Sequence, residues 1–257
     1  MPSLSSSLWK YHSVEWNPKV ASVLQNQDNQ LNASVSHFVL PDLSTIYSQN
    51  DRVDYLFQTP THKRILTVAT CRYTAETIAN TVLKADKVLL VGGNEKIDQQ
   101  NQPTLSTIEA AKILREQHND LELWGVTNPN DPNSCENVQK KIEAGISGFI
   151  TQPLLSSNAL QTLEDYPRED DTVFVAGVAM PRTAKSLQFW RKLLEQPDLE
   201  EDPLFRAHLA FFSQPYFTPM AWIGREVENL STHATVDGVH FMPMGNTEDL
   251  LSVFRHI

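Results

Sequence analysis

Two cysteines in 257 residues, Cys71 and Cys135, cannot build a disulfide framework, and neither stands in a metal-like spacing. Such sparse use points to a reducing compartment. Long hydrophobic runs are also lacking. Nothing in the chain approaches the roughly 18 apolar residues that span a bilayer. The opening stretch "MPSLSSSLWKYH" has neither the basic n-region nor the apolar h-region of a signal peptide. The sequence therefore predicts a cytoplasmic protein with no membrane partner. Basic charge is scarce as well: 21 Lys and Arg stand against 31 Asp and Glu, a formal net charge of −10. Nucleic acids and anionic membranes favour basic surfaces, so no nucleic-acid partner is expected.

The familiar motifs of metal and nucleophile chemistry are missing too. There is no HxH or HExxH pair, no G-x-S-x-G elbow, no phosphate loop and no paired-carboxylate spacing. The sequence predicts no metal site.

What the chain does have is a recurrence of short apolar runs: "HSVEW", "ASVSHFVL", "RILTVAT", "KVLLVGG", "LELWGVTN", "SGFITQ", "TVFVAGVAM" and "DGVHFMPM". Several are near-continuous in Val, Ile, Leu and Phe, the pattern of parallel strands buried on both faces. Helical segments fill the gaps. "TAETIANTVLKA" (74–85) opens on a Thr N-cap, and "TLSTIEAAKILREQ" (104–117) carries an apolar stripe at helical spacing. "SCENVQKKIEAG" (134–145) ends on a C-cap glycine, Gly145, and "TAKSLQFWRKLLEQ" (183–196) repeats the scheme. The interval before the last strand is too long for one helix and is assigned two, "PLFRAHLAFF" and "TPMAWIGREVENL". Eight strands alternating with helices predict one α/β domain over residues 1–257, a single (β/α)8 TIM barrel with an extra helix between strands seven and eight. A doubly wound open sheet is the competing reading, but the glycine-rich turn that often follows its first strand is absent.

In such a barrel the chemistry sits at the C-terminal ends of the strands. The residues read at those ends are Glu15, His37, Thr70 with Cys71, Gly92 to Asn94, Thr127 with Asn128, Gln152, Met180, and Met244 to Asn246. One acid among amides and hydroxyls suits a flat heterocycle with a hydrogen-bonding edge.

Five of these stretches resemble, in order, the motifs of the methylenetetrahydrofolate reductases, flavin-dependent barrels that reduce methylenetetrahydrofolate to methyltetrahydrofolate. "VEWNPK" is similar to the family's first-strand Glu-Phe-Phe-Pro-Pro-Lys, and "LTVATC" to its His-Leu-Thr-Cys. "WGVTNPNDPN" resembles its fifth strand and loop, and "VHFMPMGN" its last strand. "KKIEAGISGFITQPLL" matches most closely, against Lys-x-Lys-Val-Asp-Ala-Gly-Ala-x-x-Ile-Thr-Gln. The resemblance implies that Glu15 is the acid that protonates the folate nitrogen, helped by the raised pKa of an acid in an apolar mouth. It implies that Gln152 and Asn94 contact the pterin. It also implies FAD and NAD(P)H as cofactors, with Thr70, Gly93, Lys141 and His37 left to hold the flavin.

The sequence departs from the family where the flavin is held. Gly92 and Asn94 stand in place of the Arg and Asp of Arg-Gly-Asp, Val68 in place of a His, and Ser134 in place of an Asp. Each lost charged hydrogen bond costs roughly 1.5 to 3 kcal/mol, so several together weaken FAD by orders of magnitude. Two functions follow: a folate-linked oxidoreductase, or a folate-binding barrel without reductase activity, acting in methyl transfer or regulation. A barrel for another small heterocycle is a third reading. The oligomeric state stays open, a homo-oligomer included. The family's regulatory extension after the barrel is not expected.

Overall fold

The structure, a computed structural model, describes residues 9–20, 34–42, 55, 59–82, 85–92, 105–243 and 247–254. Gly93, Asn94 and Met244 to Asn246, all assigned to the site from sequence, lie outside the described residues.

The eight apolar runs become β1 (Tyr11–Glu15), β2 (His37–Leu40), β3 (Arg64–Ala69), β4 (Lys87–Val91), β5 (Glu122–Thr127), β6 (Gly148–Pro153), β7 (Val173–Ala179) and β8 (Gly238–Met242). They pair in sequence order, all parallel, and β8 closes onto β1. Among the described residues the bounded α-helices are α1 (Ala75–Thr81), α2 (Thr107–Gln117), α3 (Ser134–Glu143), α4 (Ser157–Glu164), α5 (Ala184–Leu193), α6 (Pro203–Phe212), α7 (Pro219–Leu230) and α8 (Thr247–Phe254). The fold is a (β/α)8 TIM barrel. Three helices and a 3-10 turn (Pro197–Glu200) stand between β7 and β8. Two helices, α4 and α8, go beyond those read from the sequence. Among the described residues, no helix is long and apolar enough to cross a membrane.

Local chemistry fixes the helix starts. The Ser106 hydroxyl accepts from Glu109 N at 3.2 Å while the Glu109 carboxylate accepts from Ser106 N at 2.9 Å, a reciprocal cap on α2. The Asp202 carboxylate accepts from Leu204 N at 2.8 Å and Phe205 N at 3.1 Å, with Pro203 just inside α6. After α3 the chain turns at Gly145 with φ +90°, the left-handed C-cap read from the sequence.

Each strand sends alternate side chains to two different cores. One core lies between sheet and helices and takes Val14, Phe38, Val68, Leu90, Leu123, Phe149, Phe174 and Phe241. The other fills the lumen with Val39, Ile65, Leu89, Trp124, Ile150 and Val175. At the N-terminal end of the strands the lumen is closed by rings: Tyr11 stacks on His37 at 5.8 Å, and Trp124 meets both at 5.8 and 6.0 Å. Lys87 and Glu122 pair there at 2.8 Å, and Trp124 Nε1 donates to Glu122 at 2.7 Å.

This corrects the placement of His37. It was read at the C-terminal end of the second strand, yet it is the first residue of β2 and belongs to the base of the barrel. Burial, with Lys87 next in effect, drives its pKa down to about 4.

Candidate functional site at the barrel mouth

Strand tilt sets which residues share a level. In a barrel of this type, crossing two strands in register and advancing two residues returns to the same height. Glu15 pairs with Val39 and Val39 with Ile65, so Thr67 is level with Glu15. Thr67 pairs with Leu89 and Leu89 with Trp124, which brings in Val126. Val126 pairs with Ile150 and Ile150 with Val175, which brings in Gly177. Gly177 pairs with His240 and His240 with Ser13, which returns to Glu15. One layer near the mouth therefore holds Glu15, Thr67, Val126 and Gly177. By the same register Gln152 lies one step nearer the opening, and His240 one step deeper.

Glu15 ends β1 on its lumen face, two residues beyond Ser13 and four beyond Tyr11, while Val14 faces the helices. Burial raises its pKa to about 7. No hydrogen bond or ion pair reaches its carboxyl among the described residues, so desolvation acts without a compensating cation. Below it the Ser13 hydroxyl and His240 Nδ1 lie 2.9 Å apart, and burial lowers the His240 pKa to about 3. A neutral imidazole thus underlies an acid poised near neutrality.

Gln152 is positioned by an irregularity. The register between β6 and β7 shifts between Ile150 and Pro153. The Thr151 hydroxyl fills the break, accepting from Gly177 N at 2.9 Å and donating to the Gln152 carbonyl at 2.8 Å. A Cβ on residue 177 would sit 2.3 Å from the Thr151 carbonyl, so the bulge requires glycine there. Gln152 Oε1 is buried without a partner among the described residues, and so is the Thr67 hydroxyl. A buried polar atom normally has a partner, and these two stand near the mouth on the lumen side.

Of the residues assigned to a flavin, Gly93 lies outside the described residues and the other three do not share one end of the barrel. His37 is at the opposite end of the barrel. The Lys141 ammonium donates to the Val126 carbonyl at 2.6 Å, and its stem lies against Gly125, whose neighbours in the sheet face the helices. Thr70 is fully buried in the turn after β3, its hydroxyl likewise without a partner among the described residues, and Gly92 offers no side chain where an arginine would be required. With His37 at the base and no arginine at position 92, the flavin site does not form as assigned.

Sequence reading missed Thr67 and Asp42. Thr67 hides in the apolar run "RILTVAT"; the available signal was a hydroxyl at a lumen-facing position among Ile and Val. Asp42 follows β2, where its carboxylate accepts from Ala69 N at 3.0 Å and pairs with Arg72 at 3.2 Å, tying the loops after β2 and β3 together.

Fold and register together give a (β/α)8 barrel with Glu15, Gln152 and Thr67, among the described residues, on the lumen side near the C-terminal mouth. No family model matches the chain, and no curated protein does. The reductase resemblance therefore rests on the motifs quoted above. Among solved structures, the chain is similar to an uncharacterized protein from Clostridium thermocellum that binds two copies of 5-methyl-5,6,7,8-tetrahydrofolic acid. The identity is 16% and the TM-score 0.61, over 96% of this chain and 92% of that one. It is similar also to oxaloacetate acetylhydrolase in complex with 3,3-difluorooxalacetate, at 10% identity and TM-score 0.50, over 97% of this chain and 82% of that one. At these identities the likeness is one of fold.

Proposed function

We propose that this protein is a folate-binding barrel that seats the pterin ring of a reduced folate at the C-terminal mouth. The observation that carries the reading is the pairing of Glu15, an acid raised to about 7, with Gln152 Oε1 one step above it, neither having a partner among the described residues. A reduced pterin presents N–H donors and a carbonyl along one edge, and an amide both donates and accepts there. Its N5 is an amine, and any bond from N5 to a one-carbon unit breaks more easily once N5 is protonated. Glu15 holds a proton near neutral pH and is placed to give it. The fold likeness to a barrel that binds 5-methyltetrahydrofolic acid supports the choice of ligand.

Of the two folate readings, the one without reductase activity stands first, in methyl transfer or regulation. The losses at Gly92 and Asn94 and the place of His37 at the base of the barrel favour it. Hydride transfer from NAD(P)H to methylenetetrahydrofolate, with Glu15 as acid, is the second reading, supported by the motif resemblance.

Thermal melting with and without 5-methyltetrahydrofolate tests the proposal. A ligand at 100 times its Kd adds about 2.7 kcal/mol, or about 5 to 10 °C in Tm for a chain of this size. No shift with any reduced folate would end the reading. Oxidation of NAD(P)H by the protein with methylenetetrahydrofolate would raise the reductase above the binder.

A further inference from the structure

We propose that Thr67 is a further ligand contact in this mouth, its hydroxyl exchanging a hydrogen bond with a polar ring atom of the seated heterocycle. This rests on the folate reading above. Thr67 is 5% exposed, and its hydroxyl has no partner among the described residues. Its side chain faces the lumen, since Ile65 on the same strand belongs to the lumen core and Val68 to the outer one. The closed register sets it level with Glu15, on the next strand but one.

The neighbouring lumen positions show what a purely structural residue looks like here. Val39, Ile65, Leu89, Ile150 and Val175 are all apolar, and valine has nearly the shape of threonine. A hydroxyl in their company, left unpaired, costs stability and gains nothing unless something arrives to bond it. A hydroxyl can also reverse its role, donating to a ring carbonyl or accepting from a ring N–H, which an acid and an amide at fixed positions do less freely.

The test is Thr67→Val against Thr67→Ser, each measured by titration with 5-methyltetrahydrofolate and by thermal melting without ligand. The expected result is a Tm for Thr67→Val equal to or above wild type, with folate affinity weakened about three- to tenfold. Thr67→Ser should restore most of the affinity. A merely structural hydroxyl would move the Tm and leave the affinity alone. If wild type binds and Thr67→Val binds equally well, the Thr67 proposal is wrong and the folate reading stands. If wild type binds no reduced folate, the reading fails and takes this proposal with it. Should Thr67→Val fail to fold, loss of affinity in a folded Thr67→Ala would support the contact, and undiminished affinity would overturn it.

Discussion

Replacing Glu15 by glutamine should stabilise the protein, and increasingly so as the pH rises. The amide keeps the shape of the protonated acid but never ionises. Burial raises the Glu15 pKa from 4.5 to about 7 in the folded chain. Well below pH 4.5 the carboxyl is protonated in folded and unfolded chains alike, so acid and amide behave similarly. Between pH 4.5 and 7 the unfolded chain releases its proton and the folded chain keeps it. Stability present at low pH is therefore lost as the pH climbs through this window, and the loss levels off above 7. At about 1.36 kcal/mol per unit, the full effect is on the order of 3 kcal/mol, an upper figure because the carboxyl is not sealed from water. From pH 5 to pH 8 the advantage of Glu15→Gln should grow by about 2 kcal/mol, or about 4 to 8 °C in Tm. Paired melts in one buffer series across that range read it directly. A difference between the two proteins that stays constant with pH would show Glu15 to be an ordinary solvated carboxylate, and the proton-donor role would go with it.

The same substitution should leave folate affinity within a few-fold of wild type while lowering any turnover by roughly 10²- to 10⁴-fold; unchanged turnover would make Glu15 structural. Gln152→Leu should weaken folate binding about tenfold without lowering the Tm, because it removes a buried acceptor that has no partner in the folded chain; an equal loss of stability would point to a structural amide. Gly177→Ala should cost about 1 to 3 kcal/mol in urea unfolding, since the new Cβ meets the Thr151 carbonyl, whereas Gly92→Ala, with nothing within 4 Å, should be near neutral. Equal effects of the two would refute the tight bulge. Asp237→Ala should destabilise by about 1 to 3 kcal/mol, because that carboxylate accepts from Phe174 N at 2.9 Å as well as from Arg168 at 2.7 and 2.8 Å; a change under about 0.5 kcal/mol would leave only a weak surface pair.

The architecture was legible because strands buried on both faces write themselves as unbroken apolar runs. "RILTVAT" and "KVLLVGG" became β3 and β4 within two residues of their ends. Short helices left less trace: α4 buries only Ala159 and Leu163, too few to form a stripe. Glu15 was legible because an acid interrupts an apolar run. His37 was misplaced for a different reason. Its run, "ASVSHFVL", includes Val35, which packs in the outer core before the strand starts, so the run's length hid where β2 begins. Thr67 was invisible because alternation alone does not say which face of a doubly buried strand is the lumen. The β6 irregularity that orients Gln152 depends on a side chain replacing a strand partner, a contact with no counterpart in spacing.

The ring-closed base has a kinetic consequence. With Tyr11, His37 and Trp124 packed at the lower end and Val39, Ile65, Leu89, Ile150 and Val175 filling the lumen above them, the only way to a seat at the mouth, among the described residues, is from the mouth side. Whatever enters must depart along the same path, in reverse, and no second molecule can push it out from behind. Exchange at such a seat is therefore set by spontaneous escape: flooding the solution with a competitor fills emptied seats but does not hasten their emptying.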